Sequence, residues 1–415
     1  MARAPDALDD AGLRQVVVVL SAVQIVSWGV LYYAFAALQS SITADTGWSA
    51  TAVTGAFSLA QLVSGAIGIW VGRHIDAVGP RRVMTAASVV AIPGITAVAL
   101  APDLTVFYLG WALTGAAMAG TLYPPAFAAL THWGGVRRVR ALTTLTLVAG
   151  LASTVFAPLA SVLDDALGWR LAYLVLLAGL VFVTVPLHWW GLDHPWRREP
   201  PATGMPVPAQ QSSEVVRSRA FVLLTTAHAL TALAVFAVVV NLVPMLVEQG
   251  MSRNLAALAL GLSGVGQVVG RLGYARFAAG TSVTGRGVVV LAALAGTTAA
   301  LALAPPSPGV LVAVGMVLGL ARGVHTLVQA TAITDRWGPT SYGTLNGLMS
   351  APTLVAAATA PFVGAVLATA LGSYARAFLA LAGLAALAAV LMAYAAPAGL
   401  PDDRSGRPGS GVGEH

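Results

Sequence analysis

Cysteine is absent from all 415 residues, which excludes disulfide staples and thiolate metal sites. Lysine is absent too, so the 22 basic residues are all arginine. Charged side chains of both signs make up 9% of the chain, too few to coat a soluble domain of this length. No phosphate loop of the Gly-x4-Gly-Lys-[Ser/Thr] type occurs, which argues against a nucleotide-driven pump. Nor is there a nucleophile motif or a Cys/His/Asp cluster with metal-ligand spacing. An enzyme is therefore not expected, and neither is a metal or any other cofactor. The formal net charge of +6 could suggest nucleic acid, but the arginines are spread along the chain and no nucleic-acid partner is expected.

What fills the chain instead is apolar. It is 57% hydrophobic with a mean hydropathy of +0.81. Twelve runs, at approximately 16–40, 50–71, 83–101, 104–130, 142–163, 171–190, 219–247, 255–278, 288–304, 309–333, 342–370 and 377–396, are long enough to cross a hydrocarbon core of about 30 Å. This is the pattern of an all-helical, multi-pass membrane protein with lipid as its surroundings. With the N-terminus in the cytoplasm, 17 arginines fall on the cytoplasmic side and only Arg170, Arg253 and Arg376 outside. That bias puts both termini in the cytoplasm, in a cell inner (plasma) membrane. Residues 1–12 (MARAPDALDDAG) are polar and acidic, unlike the basic start of a cleaved signal peptide, so the first span is expected to stay in the mature protein.

The longest internal polar stretch, Gly191–Ser218, is rich in Pro, Ser, Gln and charge and reads as a flexible cytoplasmic linker. It divides the chain into bundles at 1–190 and 219–397, with 398–415 a disordered tail. The halves repeat in register. Gly55-x5-Gln61 returns as Gly261-x5-Gln267, Trp133-Gly134 as Trp337-Gly338, and TVFAP (154–158) as AATAP (357–361). Between the second and third spans stands GRHIDAVGPRR (72–82), with Gly72, Asp76, Gly79, Arg81 and Arg82 in the spacing G-x3-D-x2-G-x-R-R. This resembles the signature of the major facilitator superfamily. The resemblance implies twelve helices in two pseudo-symmetric six-helix bundles, with a substrate site between them near mid-membrane. It also implies that the signature loop latches the cytoplasmic gate, with a partner for Asp76 expected from Arg137, Arg138 or Arg140. Ser282 stands where the second half would repeat Asp76, so any latch is asymmetric. The alternative reading is that Arg81 and Arg82 only anchor topology.

Within the superfamily, the segment 32–65 with its GWS, the Tyr123-Pro124 pair, GGVRRVRAL (134–142) and GWRLAY (168–173) resemble the monocarboxylate transporter and oxalate–formate antiporter branch. The likeness covers most of the first half. It implies a role for Arg271, in VVGRLGY, as the arginine that binds a substrate carboxylate, and for Tyr123 as a hydrogen-bond donor to the anion. Two departures stand out: Gln267 where animal members carry an aspartate, and Ala37 where they carry a lysine. Proton coupling through that pair cannot operate here. A carried proton is left to His325, His228 or the substrate itself, or the protein exchanges anions without one.

The charges inside the spans point the same way independently. Arg322 lies about 12 residues from either end of its run, roughly 18 Å at ~1.5 Å per residue, too deep for easy snorkelling. It should face a polar cavity, with His325 and Gln329 on the same helical face. Arg271 is shallower, so snorkelling remains an alternative for it, and backbone carbonyls of a broken helix remain one for Arg322. No carboxylate lies in the central part of any run, which leaves the counter-charge to a substrate anion. Further cavity candidates are Trp28 and Tyr32, on one face with Gln24 at i, i+4 and i+8, and Asn241 before Pro244. Asp45 and Glu248 read as loop charges, and His228 as structural. The expectation is a monomeric secondary transporter for a small organic anion, a monocarboxylate in the first instance, with symport of protons or exchange left open. A multidrug or metabolite exporter driven by proton antiport is the alternative.

Overall fold

The structure is a computed structural model and describes residues 7–196, 208–339 and 341–396. Its described residues are almost entirely helical. Helix starts are set by short polar side chains between apolar runs. Asp9, Ser49, Asp103, Ser218, Ser252, Ser282 and Ser373 each accept a hydrogen bond from a backbone N–H in the first turn that follows, satisfying donors that the helix itself leaves free.

The face from which the first helix starts is termed the near face and the opposite one the far face. The first crossing is α1 (Asp10–Trp28), one wide turn at Gly29–Tyr33, and α2 (Ala34–Thr46). α3 (Ala50–Val78) returns, α4 (Pro80–Ala99) crosses again, and α5 (Leu104–Thr121) runs back into α6 (Tyr123–Gly134). α7 (Arg138–Ala149) and α8 (Ala152–Leu167) make the fifth crossing and α9 (Trp169–Gly191) the sixth. After α10 (Pro208–Arg217) the second bundle follows as α11 (Arg219–Glu248), α12 (Arg253–Ala279), α13 (Val283–Leu303), α14 (Pro308–Thr331), the short α15 (Thr334–Trp337), α16 (Tyr342–Leu371) and α17 (Tyr374–Ala393).

Ten helical stretches among the described residues are long and apolar enough to cross a membrane. One of them, Leu104–Leu167, runs for 64 residues and contains both the fourth and the fifth expected spans. α12, with Arg253, Arg271 and Arg276, is helical over 27 residues but is not among the ten. The outer surface suits lipid: Phe182 is 80% exposed and Phe362 73%, a state that water would penalise and hydrocarbon does not.

Two apolar cores fill the interior. One lies in the far half of the first bundle around Phe35, Trp111 and Tyr173. The other is continuous from the near half of the first bundle (Val16, Trp133, Leu145) through the whole second bundle (Leu224, Leu318, Phe378). The bundles are thus welded at the near face.

Two sequence expectations are corrected. Part of the stretch expected to be a flexible linker, Pro208–Arg217, is helical, while 197–207 and the expected tail at 398–415 lie outside the described residues. Asp45 and Glu248 are more than loop charges. Asp45 accepts from Trp169 Nε1 at 3.0 Å and pairs with Arg170, pinning α2 to α9. Glu248 accepts from the Tyr374 N–H at 2.9 Å, capping α17 from the end of α11.

Candidate functional site

On the near face, Gly79 takes φ +82° between α3 and α4, a turn that only glycine makes without strain. One turn earlier, Asp76 reaches across to the other bundle. Its Oδ1 accepts from the Gly343 N–H at 2.8 Å, and its Oδ2 accepts from the Thr344 N–H and hydroxyl at 2.7 Å each. These are first-turn donors of α16, where a carboxylate also meets the positive end of the helix dipole. A β-carbon on Gly72 would collide with the Gly343 carbonyl and one on Gly343 with the Gly72 carbonyl, so the two glycines set the approach that lets Asp76 reach.

Two of the three arginines expected to face Asp76 pair with other carboxylates. Arg137 pairs with Asp10, Arg138 with Asp335 at 3.2 Å, and Arg140 is exposed. Arg81 stays within its own bundle, donating to the Trp189 carbonyl at 2.6 Å and pairing with Asp193, and Arg82 is exposed. Through Arg138 of the first bundle Asp335 makes a second tie between the bundles, and it also pairs with Arg286 of its own bundle. Beside it Arg336 donates to the Ala395 carbonyl at 3.2 Å, and burial draws its pKa down to about 10. The start of the linker closes over this region. Trp196 packs on Gly79 and stacks on His132 at 4.0 Å, and the Pro195 carbonyl accepts from Trp133 Nε1 at 2.9 Å.

Deeper in, α12 and α14 run side by side with backbones in contact. β-carbons on Gly266 and Gly270 would strike the Met316 and Leu320 carbonyls, and those on Gly319 and Gly323 the Ser263 and Gln267 carbonyls. This small-residue ridge brings Arg271 and Arg322 to one level, each within Coulombic reach of the other. Arg271 is buried and crosses to the first bundle, where Nη1 donates to the Thr146 carbonyl at 2.6 Å over Gly150. The Nε atoms of both arginines are buried with no hydrogen-bond partner, and no carboxylate occurs in the central part of any described helix long enough to cross a membrane. The arrangement offers two guanidiniums whose anion is not supplied by the chain.

The first bundle faces them with aromatic rings. At the wide turn the Ala34 N–H bonds the Gly29 carbonyl five residues back. The extra residue advances the helix face, so both Tyr32 and Tyr33 lie beside Trp28, with ring centroids 5.2 and 6.3 Å away. Tyr33 lies within Coulombic reach of Arg271 and Arg322 and on the side of Ser153. Tyr32 turns its ring edge-on to Phe57 at 5.2 Å. Gln24 is buried, donates to the Thr121 carbonyl at 2.6 Å at the break between α5 and α6, and accepts from Trp28 Nε1 at 3.1 Å. Tyr123, just past that break, sits 5.0 Å from Trp28 and within Coulombic reach of Arg271.

The remaining candidates lie inside the second bundle. His325 is buried, its Nε2 3.3 Å from Nδ1 of His228, so the pair joins α11 to α14. Asn241 is buried, donates to the Ala237 carbonyl at 2.8 Å and packs on Gly364 of α16. Gln267, one turn before Arg271, is half-buried. Sequence reasoning missed Tyr33, Ser153, the Thr146 carbonyl and Asp335. Of these only Asp335 carried a signal, as an acid beside the repeated Trp-Gly pair.

The chain matches the family model described as Major Facilitator Superfamily at residues 20–281 and 230–413. Human monocarboxylate transporter 11 is 29% identical over 194 residues, covering 47% of this chain and 41% of that protein. The chain thus matches about two fifths of that relative's length. Bovine monocarboxylate transporter 13 is 26% identical over 327 residues, covering 75% of this chain and 71% of that one. Among solved structures, the E. coli fucose:proton symporter aligns with a TM-score of 0.73 at 14% identity, covering 94% of this chain and 99% of its own. The human organic anion transporter TETRAN aligns with a TM-score of 0.71 at 16% identity, covering 92% and 99%.

Proposed function

The chain belongs to the major facilitator superfamily, and from that premise we propose that it is a secondary transporter that moves a small organic anion, a monocarboxylate in the first instance, by alternating access. The observation that carries this reading is the pair Arg271 and Arg322, side by side at mid-bundle with free Nε donors and no carboxylate in the helices around them. One buried and one half-buried cation without an internal anion are costly to keep, and a bound substrate anion offsets that cost. The monocarboxylate transporters among the relatives support the same class. An exporter of cationic drugs would call for a membrane-embedded carboxylate, which the spans lack. In this reading the near face is cytoplasmic and the rocking halves expose the arginines to each side in turn.

Counterflow of labelled organic anions in proteoliposomes tests the proposal. Removing one partner of a desolvated charged pair costs roughly 2–5 kcal/mol, so Arg271→Gln and Arg322→Gln should each lose about 30-fold or more in affinity, and the lysine variants less. Well-folded glutamine variants that exchange an organic anion at wild-type affinity would return the exporter reading to first place. An imposed pH gradient that drives accumulation separates proton symport from exchange.

A further inference from the structure

The wall opposite the two arginines is aromatic, and it is held in place. Trp28 is tied through its indole N–H to Gln24, which is itself bonded to the carbonyl at the α5–α6 break. Tyr123 is fixed by that break and stacks on Phe127 at 5.0 Å and 15°. Tyr33 is set by the wide turn, where Phe156 lies against the bare backbone of Gly29. The ring of Trp28 stands 5.0 Å from Tyr123 at 51° and 6.3 Å from Tyr33 at 40°. Three tilted rings at these spacings, with Tyr32 also edge-on to Trp28 at 5.2 Å, form an open cluster rather than a closed stack. All three stay half-buried, whereas Phe35 and Trp111 in the same bundle are buried.

The phenol of Tyr33 lies within Coulombic reach of both guanidiniums, and that of Tyr123 within reach of Arg271. A ligand filling the space therefore needs an anionic head at the arginines and a flat apolar body continuous with it. Preorganised rings give such a body edge and offset contacts at 4.5–7 Å, geometry that an aliphatic body of equal size does not exploit. Rings held by hydrogen bonds and packing lose little entropy when they receive it.

We propose that the anion taken by this cavity is an aryl carboxylate, its ring held among Trp28, Tyr33 and Tyr123 and its carboxylate on Arg271 and Arg322, with the Tyr33 hydroxyl as the donor from the first bundle. This rests on the anion-transport reading and narrows it to one substrate class. It also makes Tyr33 the residue through which the first bundle registers the head group, so that the ligand bridges both halves.

The test is competition in proteoliposomes bearing the full chain, with labelled benzoate and labelled pyruvate as transported probes. Unlabelled benzoate, cyclohexanecarboxylate and acetate are the competitors. Benzoate should compete at a concentration at least about fivefold lower than cyclohexanecarboxylate, the scale of an aromatic contact, and lower still than acetate. In Trp28→Leu and Tyr33→Leu, the ratio of benzoate to cyclohexanecarboxylate affinity should collapse toward one, while Trp28→Phe keeps most of it. Tyr33→Phe should weaken all three anions, because it loses the hydroxyl and keeps the ring. Cyclohexanecarboxylate or acetate matching benzoate in the wild type overturns the proposal and leaves the anion transporter standing. Leucine variants that fold, by melting in detergent, and keep the wild-type ratio overturn it as well. If a leucine variant fails to fold, the wild-type series decides alone. No exchange of either labelled acid overturns both readings.

Discussion

Asp76 places one carboxylate against three donors of the opposite bundle, and this is the part of the molecule where a single atom has the most leverage. Hydrogen bonds to a charged group are each worth about 1.5–3 kcal/mol, and the helix N-terminus adds its dipole. Asp76→Asn removes the charge and one acceptor. Losing even one such bond should shift the balance between gate-closed and gate-open states roughly tenfold or more. With no native cysteine to interfere, Ser350→Cys on α16 reports the change, since its labelling by a thiol reagent from the near face should rise by that factor in the Asp76→Asn background. Equal labelling in the two backgrounds would mean that Asp76 does not latch. The aspartate was legible in the sequence because its spacing to Gly72, Gly79 and the arginines is distinctive. Its backbone partners were not, because backbone N–H groups at the start of a helix carry no side-chain signature.

Elements hide their information differently. The face shared by Gln24 and Trp28 was readable from α-helical spacing, and the structure keeps those two together. One inserted residue at Gly29–Tyr33 then moves the face by a position, so Tyr33 joins Tyr32 beside Trp28, which periodicity alone did not foresee. A wide turn is set by tertiary packing, here Phe156 on Gly29, and a single sequence gives no register for it. The glycine ridge of α12 and α14 is the opposite case. Gly266, Gly270, Gly319 and Gly323 are evenly spaced in the sequence, but which helix they meet is a tertiary fact. Because their missing β-carbons would strike backbone rather than a movable side-chain end, Gly270→Val or Gly323→Val must push the helices apart. The cost should be about 1–3 kcal/mol or more, seen as a lower Tm in detergent and weakened anion exchange, since the separation also moves Arg271 away from Arg322. Gly273→Ala, with open space around it, should melt like the wild type. A matching loss in Gly273→Ala would show that helix propensity, not close approach, governs α12.

At the scale of the whole molecule, charge and contact are both lopsided. The ties between bundles described above, at Asp76, at Asp335 and at Arg271, lie between the near face and mid-bundle, and the apolar core crosses between the halves at that same end. The far end of the first bundle keeps a core of its own. The described ties therefore close the near side. The same near side carries the great majority of the arginines, and under the positive-inside rule the proposed reading takes it as the cytoplasmic one. Orientation and conformation then combine into one expectation, an outward-facing protein when no substrate is bound. Ser213, in the segment joining the bundles, and Ser307, between α13 and α14, are both exposed and lie on opposite faces. In intact cells an impermeant thiol reagent should label Ser307→Cys and spare Ser213→Cys, and in permeabilised cells it should label both. A third cysteine at Ser153, in the cavity wall, should be labelled from the outside in the absence of substrate and protected when a transported anion is present. Labelling of Ser213→Cys in intact cells would invert the molecule in the membrane. Labelling of Ser153→Cys only after permeabilisation, with Ser307→Cys still reactive from outside, would keep the orientation and show that the sealed face is the outer one in the cell.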